Sequence, residues 1–467
     1  MNQVSQMTER PRPFVFPEYC KGCGRCIDSC PKHCISMGTE INPQTGLIPI
    51  VLDLEACNGC GLCITACPEP YGLMPQPGAD FELKDPEELF GARHTDAPVP
   101  VDVPDAALAL PTVEPLVIKG NYAASIGALL AGCRHFFGYP ITPSTEGAEL
   151  MAKLLPQLDG VFLQAVSEVA TVNLMYGCGG AGLRAMTFTS SPGFSLMLEG
   201  ISYMIGAELP GVFINVMRGG PGLGNIAPEQ TDIKLACRGL GHGNTHAVVL
   251  APSTPQEMLD LTMLAFDLAF KYRNPVVILS DGYLGQMTGK VQLPRTMVRP
   301  GLPKWAVWGD REHRRNLVCS IFLAESDLEA HNKHLLAKYA AMQSEQRADL
   351  YRVDDAETVV VACTTPSRMA KGAVEALRRD GAKVGLFRPI TLWPFPIEQL
   401  APHLGHIHRF VVVEASDGQL EDELRLALSK CGVFHLPIVS SVRHLGGVLP
   451  QQQEIVDCIL ACEEVPV

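Results

Sequence analysis

Nine of the 17 cysteines in this 467-residue chain fall between Cys20 and Cys67. They form two related strings, CKGCGRCIDSCP at 20–31 and CNGCGLCITACP at 57–68. Each has three cysteines separated by two residues, a fourth after three more, and a proline directly behind it. Such a repeat constrains the local fold more than any other feature of the chain. Thiolates are soft, charge-donating ligands, and this spacing holds two [4Fe–4S] clusters in which the fourth cysteine of each string serves the other cluster. Cys20, Cys23, Cys26 and Cys67 are therefore assigned to one cluster, and Cys57, Cys60, Cys63 and Cys30 to the other. A zinc module is the competing explanation, but it uses paired cysteines or histidines rather than triplets closed by Cys-Pro. Cys34 lies outside the pattern and reads as a buried thiol. The remaining cysteines are scattered singly among apolar residues, as small hydrophobes rather than as a disulfide framework.

A carrier of single electrons needs only the first part of such a chain. The cysteine-rich unit is placed at 1–75, followed by a linker rich in proline and acid at 76–113. From 114 to 295 short apolar strands (HFFG, LRAMTFT, GVFINVM, PVVILSDG) alternate with helical stretches. Strands apolar throughout and separated by helices indicate a parallel sheet covered on both faces. Thr254, Pro255 and Glu257 predict a capping box at the start of one of these helices. A charged helical arm is expected at 296–354, and a second α/β unit at 355–467. The fold class is α/β, with two doubly wound domains behind a small α+β domain.

Net charge is -13 and the isoelectric point near 5.5, which argues against nucleic acid or an anionic membrane as partner. The N-terminal MNQVSQMTERPRP has no apolar signal region, and the apolar stretch MLDLTMLAFDLAF is broken by aspartates. A soluble, cytoplasmic protein is expected.

Three further motifs sit where strands end. GYPITPSTE (138–146) follows a strand at the sheet edge where ligands of open parallel sheets bind. Its hydroxyls, Thr142, Ser144 and Thr145, are donors, although a strand-to-helix turn with Ser144 or Thr145 as cap is the simpler reading of the pattern alone. QAVSEVATV places Glu168 in apolar surroundings, where its ordinary role would be to complement a helix N-terminus. NVMRGGPGLGN joins Arg218 to a glycine-rich loop, either a turn or a phosphate cradle.

Taken in order with TSSPGFSLM and RPITLWPFP, these motifs resemble the α subunit of 2-oxoacid:ferredoxin oxidoreductases from about Leu116 onward. The first unit resembles the small bacterial-ferredoxin-like subunit of the same complexes, fused at the front. The resemblance implies a thiamine pyrimidine-binding domain, then a transketolase C-terminal-like domain. It implies oxidative decarboxylation of a 2-oxoacid, with coenzyme A as substrate and ferredoxin as acceptor. Glu168 would then engage the aminopyrimidine of thiamine pyrophosphate, and Arg218 the substrate carboxylate, a task suited to a guanidinium fork. Thr142 would face the substrate, with Tyr139 and Pro140 beside the cofactor. The GDG with a downstream asparagine that binds diphosphate and magnesium in such enzymes is missing; only LSDG and WGD occur. The cofactor is thus expected to be shared with a β subunit carrying that motif, and a γ subunit is implied. Gly222 and Leu223 stand where 2-oxoglutarate enzymes tend to carry hydroxyls, so a branched apolar 2-oxoacid such as 3-methyl-2-oxobutanoate is expected, ahead of 2-oxoglutarate. The alternative of another class is an electron-transfer and assembly subunit without catalysis.

Overall fold

The computed structural model describes residues 12–43, 45–69, 72–75, 99–310, 312–313, 316–433 and 437–461. The chain divides into two compact units, Met1–Asp96 and Ala97–Val467. Most of the expected linker, 76–98, lies outside the described residues.

In the first unit the sequence repeat becomes a structural one. Each cysteine triplet enters a short helix, Arg25–Asp28 or Leu62–Ala66, preceded by a glycine at φ 77°. That left-handed turn, natural to glycine, folds the cysteine loop back over its helix. Two antiparallel pairs complete an α+β fold: Pro13–Val15 with Leu73–Pro75, and Ile35–Met37 with Ile50–Leu52. Its core combines Ile35, Ile50 and Leu73 with Cys26, Cys30, Cys34 and Cys63.

Among the described residues the second unit carries two large sheets and two two-stranded ones, 116–119 with 288–291 and 106–109 with 296–299. Along the first run, in spatial order, strands 391–393, 248–250, 275–281, 211–217, 185–189, 135–138 and 161–164. All are parallel except the first. The two longest strands, Gly211–Met217 and Pro275–Asp281, are buried at every position, as their near-continuous apolar runs suggest, and they bury the polar Asn215, Ser280 and Asp281 as well. From strand 135–138 the chain moves outward to 161–164, then returns to 185–189 on the other side. Strand order therefore reverses there, which opens a crevice at the C-terminal strand ends. The second sheet has the order 348–351, 384–389, 358–361, 409–414, 438–443, with only the first strand antiparallel.

Three features differ from expectation. Ala106–Ala109, at the end of the expected linker, is a strand paired with Thr296–Arg299. Alanine has weak strand preference, so the pairing partner rather than local propensity creates this element. Likewise Thr391–Trp393, from the C-terminal domain, crosses to the first sheet and pairs antiparallel with Val248–Leu250, while Trp393 stacks on His246 with centroids 4.6 Å apart. The capping box is also shifted. Thr254 Oγ1 accepts the Glu257 N–H at 3.1 Å, but the Glu257 carboxylate accepts from the N–H of Ser253 at 2.8 Å. Arg388 draws that carboxylate aside with two bonds of 2.8 and 3.0 Å.

Candidate active site and iron–sulfur centre

The motif GYPITPSTE forms a turn held from below. The Ser144 hydroxyl donates to the carbonyl of Ile141 at 2.7 Å, and the buried amide of Asn121 donates to that of Pro143 at 2.9 Å. Ser144 precedes the helix Thr145–Leu154, yet its side chain makes no capping bond to it. With the backbone fixed in this way, Tyr139, Pro140 and Thr142 stand exposed at the strand ends.

Glu168 opens the helix Glu168–Gly180, whose cap is Ser167, accepting the Ala170 N–H at 3.2 Å. The carboxyl does not lean into solvent: Glu168 is only 5% exposed. It lies over Gly193, where a Cβ would come within 2.5 Å of its Oε1 and 2.4 Å of Thr189 Oγ1. Glycine at 193 is what gives this carboxyl room.

Arg218 follows the strand Gly211–Met217 and is 8% exposed. Its guanidinium donates to the carbonyls of Thr142 at 2.8 Å and Leu223 at 3.1 Å, so the structure brings Arg218 and the Thr142 turn together. It lines a cleft of about 420 Å³ with Ser191, Ser195, Gly219–Gly222, Thr231 and Asp232. Glu168 is not part of that lining; it opens the helix that follows the strand Val161–Gln164. The expectation that Leu223 walls the pocket is not met within this chain. Gly222 lines the cleft, while the Leu223 side chain is 82% exposed and only its carbonyl turns inward. Positive φ at Gly222 (71°) and Gly224 (54°) sets this direction. Gly224 admits no side chain, because a Cβ would meet the Gly219 carbonyl oxygen at 1.7 Å.

Sequence reasoning missed Ser191, Glu229, Gln230 and Asp232. Asp232 accepts the Asn215 amide at 2.8 Å, and burial pushes its carboxyl above the usual range. Nothing in APEQTD signals burial, since such residues are mostly exposed.

The eight expected cluster cysteines lie in the first unit, in two neighbourhoods. Cys20, Cys23, Cys26 and Cys67 surround one small cavity of about 20 Å³. Burial, and then the neighbouring Cys20, Cys23 and Cys67, push the Cys26 thiol up to about 11. Cys63 is raised by burial and then by Cys57, Cys30 and Cys60. Ionisation of Cys26 and of Cys63 is thus disfavoured by burial and by neighbouring thiols, a cost that a cationic iron–sulfur core would offset. Cys34 is buried, with its Sγ 3.3 Å from that of Cys30.

Comparison with known proteins follows the same division. Residues 19–70 match the family "4Fe-4S dicluster domain", and 126–300 match "Pyruvate flavodoxin/ferredoxin oxidoreductase, thiamine diP-bdg". Residues 356–455 match "Pyruvate:ferredoxin oxidoreductase core domain II". The ketoisovalerate oxidoreductase subunit VorB of Methanothermobacter thermautotrophicus is 48% identical over 346 residues, 73% of this chain and 96% of its own length. The chain belongs to the 2-oxoacid:ferredoxin oxidoreductase family. Another member of the family, the 2-oxoglutarate synthase subunit KorA of Archaeoglobus fulgidus, is 40% identical over 66% of this chain and 90% of its own. The 2-oxoglutarate:ferredoxin oxidoreductase of Magnetococcus marinus shares the fold with a TM-score of 0.67 at 24% identity, covering 74% of this chain and 65% of that one.

Membership implies thiamine diphosphate, and the residues present fit half of it. A buried carboxyl beside a side-chain-free glycine suits an aminopyrimidine edge. The two acidic motifs that superficially suggest a magnesium site are otherwise engaged. Asp281 of LSDG accepts the N–H groups of Tyr283, Leu284 and Thr365 and the Thr365 hydroxyl. Asp310 of WGD accepts the His313 N–H at 2.6 Å and faces its ring nitrogen at 2.8 Å. Among the described residues, no helix is long and apolar enough to cross a membrane.

Proposed function

We propose that this chain is the α subunit, with fused iron–sulfur domain, of a cytoplasmic enzyme that converts a 2-oxoacid and coenzyme A into acyl-CoA, carbon dioxide and two electrons for ferredoxin. One observation carries the reading. Arg218 is buried at a strand end, held by the carbonyls of Thr142 and Leu223, and lines an open cleft in the same sheet edge as Glu168. A guanidinium with two donors anchored to backbone is oriented before substrate arrives, which suits a planar carboxylate. Glu168 would hold a proton against the aminopyrimidine, and Thr142 would offer its exposed hydroxyl to the substrate. Thiamine diphosphate supplies the carbon nucleophile when bound, and the two clusters accept electrons singly, which suits ferredoxin better than a hydride acceptor.

A β subunit bearing the diphosphate and magnesium motif would complete the site, with a γ subunit in the assembly. The favoured substrate is 3-methyl-2-oxobutanoate, ahead of 2-oxoglutarate, a choice supported by the ketoisovalerate relative and by the absence of a hydroxyl at Gly222, which lines the cleft. The test is reconstitution. The chain alone, supplied with thiamine diphosphate, should not decarboxylate any 2-oxoacid, and adding the β subunit should start the reaction. Turnover by the isolated chain would refute the half-site assignment.

A further inference from the structure

Glu229 and Gln230 follow the glycine loop and are 2% and 1% exposed, respectively. The two oxygens of Glu229 reach in different directions. Oε2 accepts the N–H of Gly220, in the loop that begins at Arg218, at 2.7 Å. Oε1 accepts the N–H of Gly446, in the C-terminal domain, at 2.8 Å. Asn225 adds a second stitch between the same segments, donating to the Gly446 carbonyl at 2.9 Å. The approach is close enough that a Cβ on Gly447 would lie 2.3 Å from that of Ala227.

Gln230 continues the contact. Its N–H donates to the Ala415 carbonyl at 2.7 Å, and its Oε1 accepts the Ala415 N–H at 2.7 Å. Its Nε2 donates to Cys363 O at 3.2 Å and Thr364 Oγ1 at 3.0 Å. These partners end two adjacent strands of the second sheet. The loop that accepts the Arg218 guanidinium at Leu223 is thus tied to three separate segments of the C-terminal domain.

We propose that Glu229 and Gln230 are positioning residues through which the C-terminal doubly wound domain sets the place of Arg218, so that 2-oxoacid binding depends on that domain. The inference rests on the assignment of Arg218 to the substrate carboxylate. Only a carboxylate can accept from both Gly220 and Gly446. A glutamine at 229 would turn an NH2 toward one of those N–H groups and release one loop from the other. Arg218 would then lose its fixed frame, and misplacement by about 1 Å costs roughly 100-fold in rate.

The experiment uses the complex of full-length chain and β subunit. Glu229→Gln is compared with wild type for kcat/KM with 3-methyl-2-oxobutanoate, KM for coenzyme A, thermal unfolding, and C2-proton exchange of bound thiamine diphosphate without substrate. We expect kcat/KM to fall about 10- to 100-fold through a raised 2-oxoacid KM. C2 exchange, which depends on Glu168, should stay within about twofold, and the coenzyme A KM should hold. Unchanged kcat/KM, or a parallel loss of C2 exchange, would overturn the proposal. Should Glu229→Gln not fold, Asn225→Ala removes the milder, exposed stitch and should raise the 2-oxoacid KM about threefold to tenfold; no change would count against the proposal equally. Arg218→Lys separates the two layers. If it leaves every 2-oxoacid KM intact, the carboxylate assignment itself fails. If it acts while Glu229→Gln is silent, only the positioning role fails.

Discussion

Replacing Gly193 by alanine should injure the site through one methyl group. Its Cβ would arrive 2.5 Å from Glu168 Oε1 and 2.9 Å from Glu168 Cγ, with Thr189 Oγ1 at 2.4 Å. Ordinary van der Waals contact begins at about 3.4 Å, so the carboxyl must retreat by roughly 0.9 Å. The atoms in the way belong to side chains rather than backbone, although Thr189 is short and fully buried, and Gly193 lies within the helix Ser191–Gly206, where alanine is the better helix former. Fold stability should therefore change by less than about 1–2 kcal/mol, because helix propensity offsets part of the strain. Catalysis is less forgiving, since a displacement near 1 Å costs on the order of 100-fold. The assay is exchange of the thiamine C2 proton with deuterium in the α–β complex, read by NMR after acid quench, beside a thermal melt. A melt close to wild type with exchange slowed 10- to 100-fold is the expected pair. Exchange at the wild-type rate would show that the Glu168 carboxyl has no positional demand, and the proton-holding role assigned to it would fall.

Further outcomes follow from the same geometry. Glu168→Gln should keep the fold and slow C2 exchange at least about 100-fold, the scale of a lost acid–base group; measuring that exchange decides between this role and a mere helix-terminus carboxyl. Truncating Arg218 should cost roughly 3–5 kcal/mol in kcat/KM, because it leaves a buried carboxylate unpaired. Arg218→Lys should recover part of that, to a similar extent for 3-methyl-2-oxobutanoate, pyruvate and 2-oxoglutarate; a loss confined to one substrate would mean that Arg218 reads the side chain. Anaerobically purified protein should carry about eight irons per chain. Cys23→Ala or Cys60→Ala should each leave about four, and Cys34→Ala about eight, by iron assay and EPR.

Parallel strands were legible in the sequence because burial on both faces favours near-continuous apolar runs such as GVFIN and PVVIL. The iron–sulfur domain was legible for a related reason, because ligand spacing is a local property of the chain. Elements created by distant partners were not. Ala106–Ala109 and Thr391–Trp393 become strands only because segments about 140 to 190 residues away offer an edge. Side-chain direction in the glycine loop was equally hidden, since positive φ at Gly222 and Gly224 decides whether Leu223 points in or out. Glu229 and Gln230 escaped notice because a polar residue gives no local sign that its partners lie in another domain.

The crossing strand Thr391–Trp393 has a consequence for how this chain can be divided. It caps the outer side of Val248–Leu250, residues no more than 1% exposed, and so ends the first sheet in a short protected rim. A fragment stopping near residue 352 would keep the first sheet but lose that rim. An apolar strand with open N–H and C=O groups would then face solvent, a template for pairing with other chains and for aggregation. The two doubly wound domains accordingly share a sheet edge within one compact unit. A gene may be split or fused ahead of residue 99 without touching this seal, whereas a break between the α/β domains has to supply a new edge strand at the same time.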